Sequence, residues 1–314
     1  MPPGPLRSIA KTTGFALHTV VSRNRRVAQL YLNWLGRVCR AAPDRAWKEF
    51  VYNSVRSVAW PAVRLKEVTT RFPGCELDVT LTPHVNELDF QLAQLYRSMP
   101  YETEVFRWLA TRSYSTIVDI GANLGVFSIY FAKRFPEAGV YAFEPSRKVF
   151  SRLVSNAAAN GVSNLHVFNC AISSESGFLN FHEPAGHETN GSLNADFASI
   201  FSTNVSVTPV PVLAASAMEC FMKKPPVLVK IDAEGSEPQV LLSLRELIQR
   251  HRPDLLIEVL SVTEAALNDL WFVRDGSYQL FNIRPEGLVR RERFLATGYR
   301  DYALLPAHDS MKGV

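Results

Sequence analysis

The sequence predicts a doubly wound α/β domain on a mostly parallel sheet, and two observations predict it. From Thr116 onward, short β-rich runs alternate with helical runs over about 190 residues. The first of these runs ends in a glycine-bearing turn, Asp119-Ile-Gly-Ala-Asn-Leu-Gly125, and the next ends in an acid, Glu144, 23 residues after Gly121. The 314 residues are 47% hydrophobic and 20% charged, an ordinary globular composition that excludes a disordered or fibrous chain.

Residues 1–60 read as helical. Val27, Leu30, Tyr31, Trp34, Leu35 and Val38 recur at helical spacing, with Arg26 and Arg37 off that face. Pro43-Asp44 reads as a stop followed by an N-cap, Trp47, Phe50 and Val51 start a second helix, and Pro61 closes the region. The expected organisation is a basic helical N-terminal extension over 1–63 and a main domain over 64–314, with its core motifs in 100–260. Glu76–Leu81 alternates polar and apolar residues as a strand does, and 101–113 reads as a helix. The main series follows: strand Thr116–Ile120, helix Val126–Arg134, strand Val140–Glu144, helix Ser146–Asn160 and strand Leu165–Cys170. A short β element is expected at Gly177–Phe181. Then come strand Val227–Asp232, helix Ser236–Arg250 with Leu241, Leu244 and Ile248 inward, strand Leu255–Leu260 and helix Thr263–Val273. Tyr278–Ile283 and Tyr302–Leu305 close the sheet.

Net charge is +4, but residues 1–50 carry nine Lys/Arg against two acids, so the remainder is slightly acidic. The four cysteines, Cys39, Cys75, Cys170 and Cys220, lie far apart with no metal-like spacing and read as free thiols of a reducing compartment. No run is long and apolar enough for a membrane span, and Lys11, His18 and Arg23 interrupt any secretory-type run. The expectation is a cytoplasmic protein whose basic N-terminus packs on the main domain or, as the alternative, makes peripheral membrane or partner contacts. The near-neutral remainder, with no basic stripe beside the motifs, argues against nucleic acid as the acceptor.

The turn after Ile120 carries the chemistry. Gly121 permits a sharp reversal and Gly125 a close approach. Asp119 puts a carboxylate at the carboxyl end of a strand, where ligands of such sheets bind. The turn lacks the middle glycine of G-x-G-x-x-G, and an acid there repels a pyrophosphate but suits an ammonium. S-adenosylmethionine has an ammonium and a sulfonium and no phosphate. Glu144 is spaced to accept hydrogen bonds from ribose hydroxyls. A third motif, Lys230-Ile-Asp-Ala-Glu-Gly-Ser-Glu237, ends an apolar strand in three acids within six residues, which resist joint ionisation unless screened.

These segments resemble the FkbM-type methyltransferases. VDIGANLGVFS, YAFEP, the Asn160–Gly161 helix end, Asn169-Cys-Ala171, VKIDAEGSEPQVL and Pro253-Asp-Leu-Leu-Ile-Glu258 follow that family's pattern over about residues 100–260. The resemblance implies a class I methyltransferase Rossmann-like fold, a seven-stranded sheet with helices on both faces, and methyl transfer most often to a sugar or polyketide hydroxyl. It implies that Asp119, Gly121, Asn123 and Gly125 hold the methionine end, that Glu144 holds the ribose, and that the Cys170–Ala171 backbone lies near adenine. It also implies that Asp232 faces the transferred methyl, and that the acceptor docks in Ala185–Val207.

A hydroxyl acceptor calls for a general base. Asp232, at the end of its strand beside the crevice, is the first candidate, Glu258 on the adjacent strand the second, and His187 in the polar loop His182–Asn194 the third. Mg²⁺ held by Asp232, Glu234 and Glu237 is a less favoured alternative, because three acids beyond a strand end point in different directions. The rival functions are a nicotinamide-dependent oxidoreductase and a non-catalytic methyltransferase-like binding protein. The acceptor's identity and the oligomeric state are not encoded in any motif.

Overall fold

The computed structural model describes residues 27, 30, 68–71, 77–81, 102–222 and 224–307. The chain divides into two units, Met1–Thr103 and Glu104–Val314. In the first, β1 (Val68–Arg71) and β2 (Asp78–Leu81) pair antiparallel, so the strand expected at Glu76–Leu81 forms over its last four residues. The expected helical extension and its boundary at 63/64 lie outside the described residues, apart from Val27 and Leu30, which are helical. No helix among the described residues is long and apolar enough to cross a membrane.

The second unit opens with α1 (Thr103–Ala110), followed by β3 (Thr116–Ile120), α2 (Val126–Arg134), β4 (Gly139–Phe143), α3 (Arg147–Asn160) and β5 (Leu165–Phe168). Ser146 caps α3 by accepting from the Val149 N–H, and Gly161 ends it in the left-handed conformation. Next come β6 (Ala171–Ser173), β7 (Gly177–Pro184), α4 (Ala195–Phe201), β8 (Val205–Ala214) and β9 (Val227–Ile231). The chain closes with α5 (Glu237–Ser243), α6 (Arg245–His251), β10 (Asp254–Glu258), α7 (Glu264–Asn268), α8 (Trp271–Arg274), β11 (Tyr278–Arg284), β12 (Gly287–Arg291) and β13 (Asp301–Pro306).

The main sheet has the order β12-β11-β13-β10-β9-β3-β4-β5. The five strands from β10 to β5 are parallel, and β13, β11 and β12 run antiparallel to their neighbours. This is the class I methyltransferase Rossmann-like sheet that the sequence predicts, with eight strands instead of seven because Gly287–Arg291 folds back on β11 as an edge hairpin. Every residue of β3 and β9 is buried, as in a parallel sheet covered on both faces. From β3 the chain winds outward through β4 to β5, then returns to place β9 on the other side of β3. The β3/β9 boundary is therefore the topological switch point, where ligands of open α/β sheets bind.

Two expected helices differ in detail, and one strand was not expected. The helix expected over 236–250 is two helices meeting at Leu244, although Leu241, Leu244 and Ile248 all point inward as expected. The helix expected over 263–273 is likewise split into α7 and α8. A separate sheet, β6-β8-β7, contains β8, a strand interrupted by Pro209 and Pro211. At both prolines β8 pairs only with β7, and its pairing with β6 begins at Val212. Two prolines two residues apart turn their missing N–H groups to the same side, and here β8 has a paired neighbour on one side only, as at a sheet edge where proline is tolerated.

Candidate active site

The chain must reverse between β3 and α2, and Gly121 makes the reversal with φ +77°. A Cβ there would lie 1.8 Å from the carbonyl oxygen of Asp232, so only glycine satisfies both the backbone and the contact. The approach is fastened on two sides. Asp232 N–H donates to Ile120 O at 3.0 Å, and the N–H groups of Gly121 and Ala122 both donate to Phe143 O at 3.0 Å. Gly125 (φ +85°) begins α2, where a Cβ would press on Leu153 of α3 at 2.3 Å. Asn123, between them at φ 52°, donates its Nδ2 to Thr189 O at 2.9 Å.

A cleft opens over this turn. Its walls come from Ile120, Gly121 and Asn123 of the turn; Phe143, Glu144, Pro145 and Val149 after β4; Ala171 and Ile172 of β6; and Phe181 of β7. Thr189, Gly191 and Leu193 of the loop before α4, and Asp232, Ala233, Glu234, Ser236 and Val240 after β9, complete it. The loop is stitched to both sides, by the Asn123 bond and by Ser192 Oγ donating to Glu234 O at 2.6 Å. Three carboxylates line the cleft, and no Lys or Arg does among the described residues.

Glu144 is 6% exposed and accepts one backbone N–H on each oxygen, Ser146 on Oε1 at 2.8 Å and Asn123 on Oε2 at 2.9 Å. Each carboxylate oxygen has room for two donors, so each keeps an acceptor position. Burial pushes the Glu144 carboxyl up to about 7, with Asp119 and Glu183 adding to the effect against the two N–H groups.

Asp119 is placed differently from Glu144. It is 0% exposed and does not line the cleft. Its Oδ2 accepts from Ser128 Oγ at 2.6 Å, and its Oδ1 lies 3.4 Å from Lys230 Nζ. Lys230 stands directly opposite Asp119 in the β3/β9 register, and its ammonium also lies 3.2 Å from Asp232 Oδ2 and 4.9 Å from the centre of the Phe127 ring. Burial acts to lower the pKa of this ammonium, but Asp232 and Asp119 outweigh it and hold the group above its ordinary value. Sequence reasoning passed over Lys230. The available signal was a single lysine inside the apolar run Val227–Ile231, which must be paired if the strand is buried.

Asp232 lines the cleft with its side chain 30% exposed. Glu258 is beside it, since Ile257 pairs with Ile231 in the parallel register, but lies outside the cleft walls. Glu258 Oε1 sits 2.9 Å from Arg300 Nη2, and burial, followed by the nearby Asp232, holds its carboxyl well above the usual range. Glu237 is 0% exposed; its Oε1 accepts from the N–H groups of Ala233 at 2.9 Å and Gly235 at 3.1 Å, which fixes the loop after β9. Burial pushes it up to about 7. His187 is outside the cleft walls, with its ring 5.9 Å from that of Phe201. Ala171 lines the cleft and Cys170 does not; burial raises the Cys170 thiol to about 11. Among the described residues no three His, Cys, Asp or Glu side chains group as a metal site.

The family model of the methyltransferase FkbM domain matches residues 119–280. Methyltransferase sdnD of Sordaria araneosa is 41% identical over 64 residues, covering 20% of this chain and 25% of that protein. Hexuronic acid methyltransferase AglP of Haloferax volcanii is 28% identical over 155 residues, 49% of this chain and 60% of that protein. The 31-O-demethyl-FK506 methyltransferase FkbM of Streptomyces tacrolimicus is 34% identical over 95 residues, 30% and 35% of the two chains. The chain thus spans between a quarter and three fifths of the length of these relatives. The crystal structure of a methyltransferase FkbM from Methylobacillus flagellatus is 21% identical with a TM-score of 0.43, covering 71% of this chain and 53% of that one. The family match takes in the turn, Glu144 and the acidic loop after β9, and runs over more than half of the sequence: the chain belongs to the FkbM methyltransferase family.

Proposed function

We propose that this protein transfers a methyl group from S-adenosylmethionine to a hydroxyl oxygen of a sugar, glycan or polyketide-type small molecule. The observation that carries the reading is the cleft wall, with three carboxylates and no cation at the switch point of the sheet. Such a wall suits a nucleoside carrying positive charge and repels the pyrophosphate of a nicotinamide dinucleotide. The relatives named for a hexuronic acid and for a demethylated FK506 support a hydroxylated small-molecule acceptor.

The residues fit the cofactor. Glu144 keeps an acceptor position on each oxygen, which matches two ribose hydroxyls. Phe143, Ala171, Ile172 and Phe181 offer apolar wall for a flat base. The left-handed Gly121 turn leaves the floor free of side chain. When bound, S-adenosylmethionine supplies an electrophilic methyl on a sulfonium. The chain's part is to hold the acceptor oxygen in line with that methyl at about 3–3.5 Å. Asp232, the carboxylate that lines the cleft immediately after β9, takes the hydroxyl proton, and solvent receives it afterwards. Glu258 and His187, outside the walls, have no place in this step.

The test is labelled-methyl transfer from S-adenosylmethionine into a mixed pool of hydroxylated small molecules, with product identification by mass spectrometry. Label on oxygen, lost in Asp232→Asn, is the expected result. Label on nitrogen or carbon, or reduction of the pool by a nicotinamide cofactor, overturns the reading.

A further inference from the structure

Residues 186–192 form a strap that leaves β7 at Gly186 and returns to it at Ser192, where His182 and Ser192 exchange both backbone hydrogen bonds, at 2.8 and 3.0 Å. Gly186 starts the excursion in the left-handed conformation (φ +77°), with open space where a side chain would stand. Thr189 and Gly191 of the strap line the cleft, and so does Leu193 just beyond it. Thr189 is 6% exposed and Ser192 1%, so the strap is packed inward instead of standing in solvent.

The strap joins on to the β6-β8-β7 sheet, yet it is fastened to loops of the main sheet. On one side Asn123 Nδ2 donates to Thr189 O at 2.9 Å; on the other Ser192 Oγ donates to Glu234 O at 2.6 Å. Asn123 follows β3 and Glu234 follows β9, the two strands of the switch point, so the two bonds carry the strap across the crevice. The Asn123 side chain is engaged at both ends, since its Oδ1 accepts from the Leu124 N–H at 2.8 Å. Both anchors also hold an unfavourable backbone. Asn123 (φ 52°) and Glu234 (φ 49°) are two of the four non-glycine residues with positive φ among the described residues. Such a conformation persists where its surroundings over-determine it, and it collects at ligand clamps and switch segments.

We propose that Asn123 and Ser192 are the latches of a lid: they hold residues 186–192 closed over the cofactor, so that S-adenosylmethionine enters and S-adenosylhomocysteine leaves only when both bonds open. This rests on the reading of the cleft as the S-adenosylmethionine site, and it adds two positioning residues that act through the strap on the rate of cofactor exchange. Kinetics separate a latch from a ligand contact. Weakening a latch raises the open fraction of the free and the bound protein alike, so association and dissociation quicken by the same factor and affinity hardly moves. Losing a contact to the ligand quickens dissociation alone.

The test is surface plasmon resonance of S-adenosylhomocysteine over the immobilised full chain, as wild type, Asn123→Gly, Ser192→Ala and the double variant, with melting curves to verify folding. Asn123→Gly removes the side chain at a backbone angle that glycine adopts freely. Each single variant should raise both rate constants by about three- to tenfold, the worth of one hydrogen bond, with Kd within about threefold of wild type. The double variant should exchange faster than either. Unchanged rates in the folded single variants, or faster dissociation with unchanged association, overturn the lid while leaving the cofactor reading intact. A wild type that binds no S-adenosylhomocysteine overturns both. If Asn123→Gly fails to melt cooperatively, Ser192→Ala carries the same comparison from the other anchor.

Discussion

Replacing Gly121 with alanine forces a conflict whose size can be read from the structure. The new Cβ would lie 1.8 Å from Asp232 O, where ordinary contact begins at 3.4 Å, and φ is +77°. The left-handed backbone alone costs an L-residue about 1–2 kcal/mol. Relieving the overlap means parting backbone from backbone, and both sides are tied by 3.0 Å bonds, Asp232 N–H to Ile120 O and Gly121 N–H to Phe143 O. Losing one of these leaves a buried group unsatisfied at about 1–3 kcal/mol. The expected loss is about 2–5 kcal/mol, or a melting temperature lower by roughly 4–20 °C for a unit of this size. Gly161→Ala is the control: its φ is +63° but nothing lies within 4 Å of the added Cβ. That variant should lose only about 1–2 kcal/mol, or roughly 3–5 °C. Calorimetric melting of both, with S-adenosylhomocysteine titrated into each, makes the comparison. Equal melting shifts in the two variants, or unaltered ligand affinity in Gly121→Ala, would refute the claim that the turn is built on this contact.

Three other outcomes are expected. Glu144 and Glu237 are both raised to about 7 from an ordinary 4.5, so each binds its proton more tightly in the folded chain. Their contribution is fully present below about pH 4.5 and is lost as pH rises through about 7, on the order of 3 kcal/mol for each group. The ligand-free melting temperature should therefore fall from pH 5 to pH 8, and Glu237→Gln should flatten part of that slope; a melting temperature that climbs over this range contradicts the burial argument. S-Adenosylhomocysteine affinity should rise through pH 7 as Glu144 becomes a carboxylate able to accept from two hydroxyls, and a flat profile in calorimetry would separate Glu144 from ribose binding. Asp232→Asn should lower methyl transfer by about 10²–10⁴-fold with little change in melting, whereas His187→Ala should leave the rate within about threefold; the reverse ranking would move the base to the loop.

The sheet was legible because its strands are short apolar runs bounded by glycine, proline and acids, and its mostly parallel arrangement followed from the alternation of strand and helix. β12 was missed because Gly287–Arg291, a largely exposed edge strand, has only Leu288 and Val289 before two arginines and so lacks a sustained or alternating apolar run. β8 was missed because prolines at 209 and 211 ordinarily argue against a strand, and their tolerance depends on which neighbour is absent. Within the site, Gly121, Asn123, Glu144, Ala171 and Asp232 come together on the cleft walls. Local spacing could not show that Asp119 lies behind the cleft wall beside Lys230, because that depends on the pairing of β3 with β9, strands more than a hundred residues apart. Glu237 stands in the first turn of α5, as its place in the sequence suggests, and its carboxylate also binds the Ala233 and Gly235 N–H groups of its own loop.

The central claim is that the carboxylate-lined cleft binds S-adenosylmethionine through Glu144. The most direct test is calorimetric titration of S-adenosylmethionine and NADH into the wild type and into Glu144→Ala. The account predicts saturable binding of S-adenosylmethionine and no heat from NADH in the wild type. In Glu144→Ala, S-adenosylmethionine affinity should be about tenfold or more weaker, as expected for losing a charge-assisted pair of hydrogen bonds. Binding of NADH, or S-adenosylmethionine affinity unchanged in a folded Glu144→Ala, would contradict it.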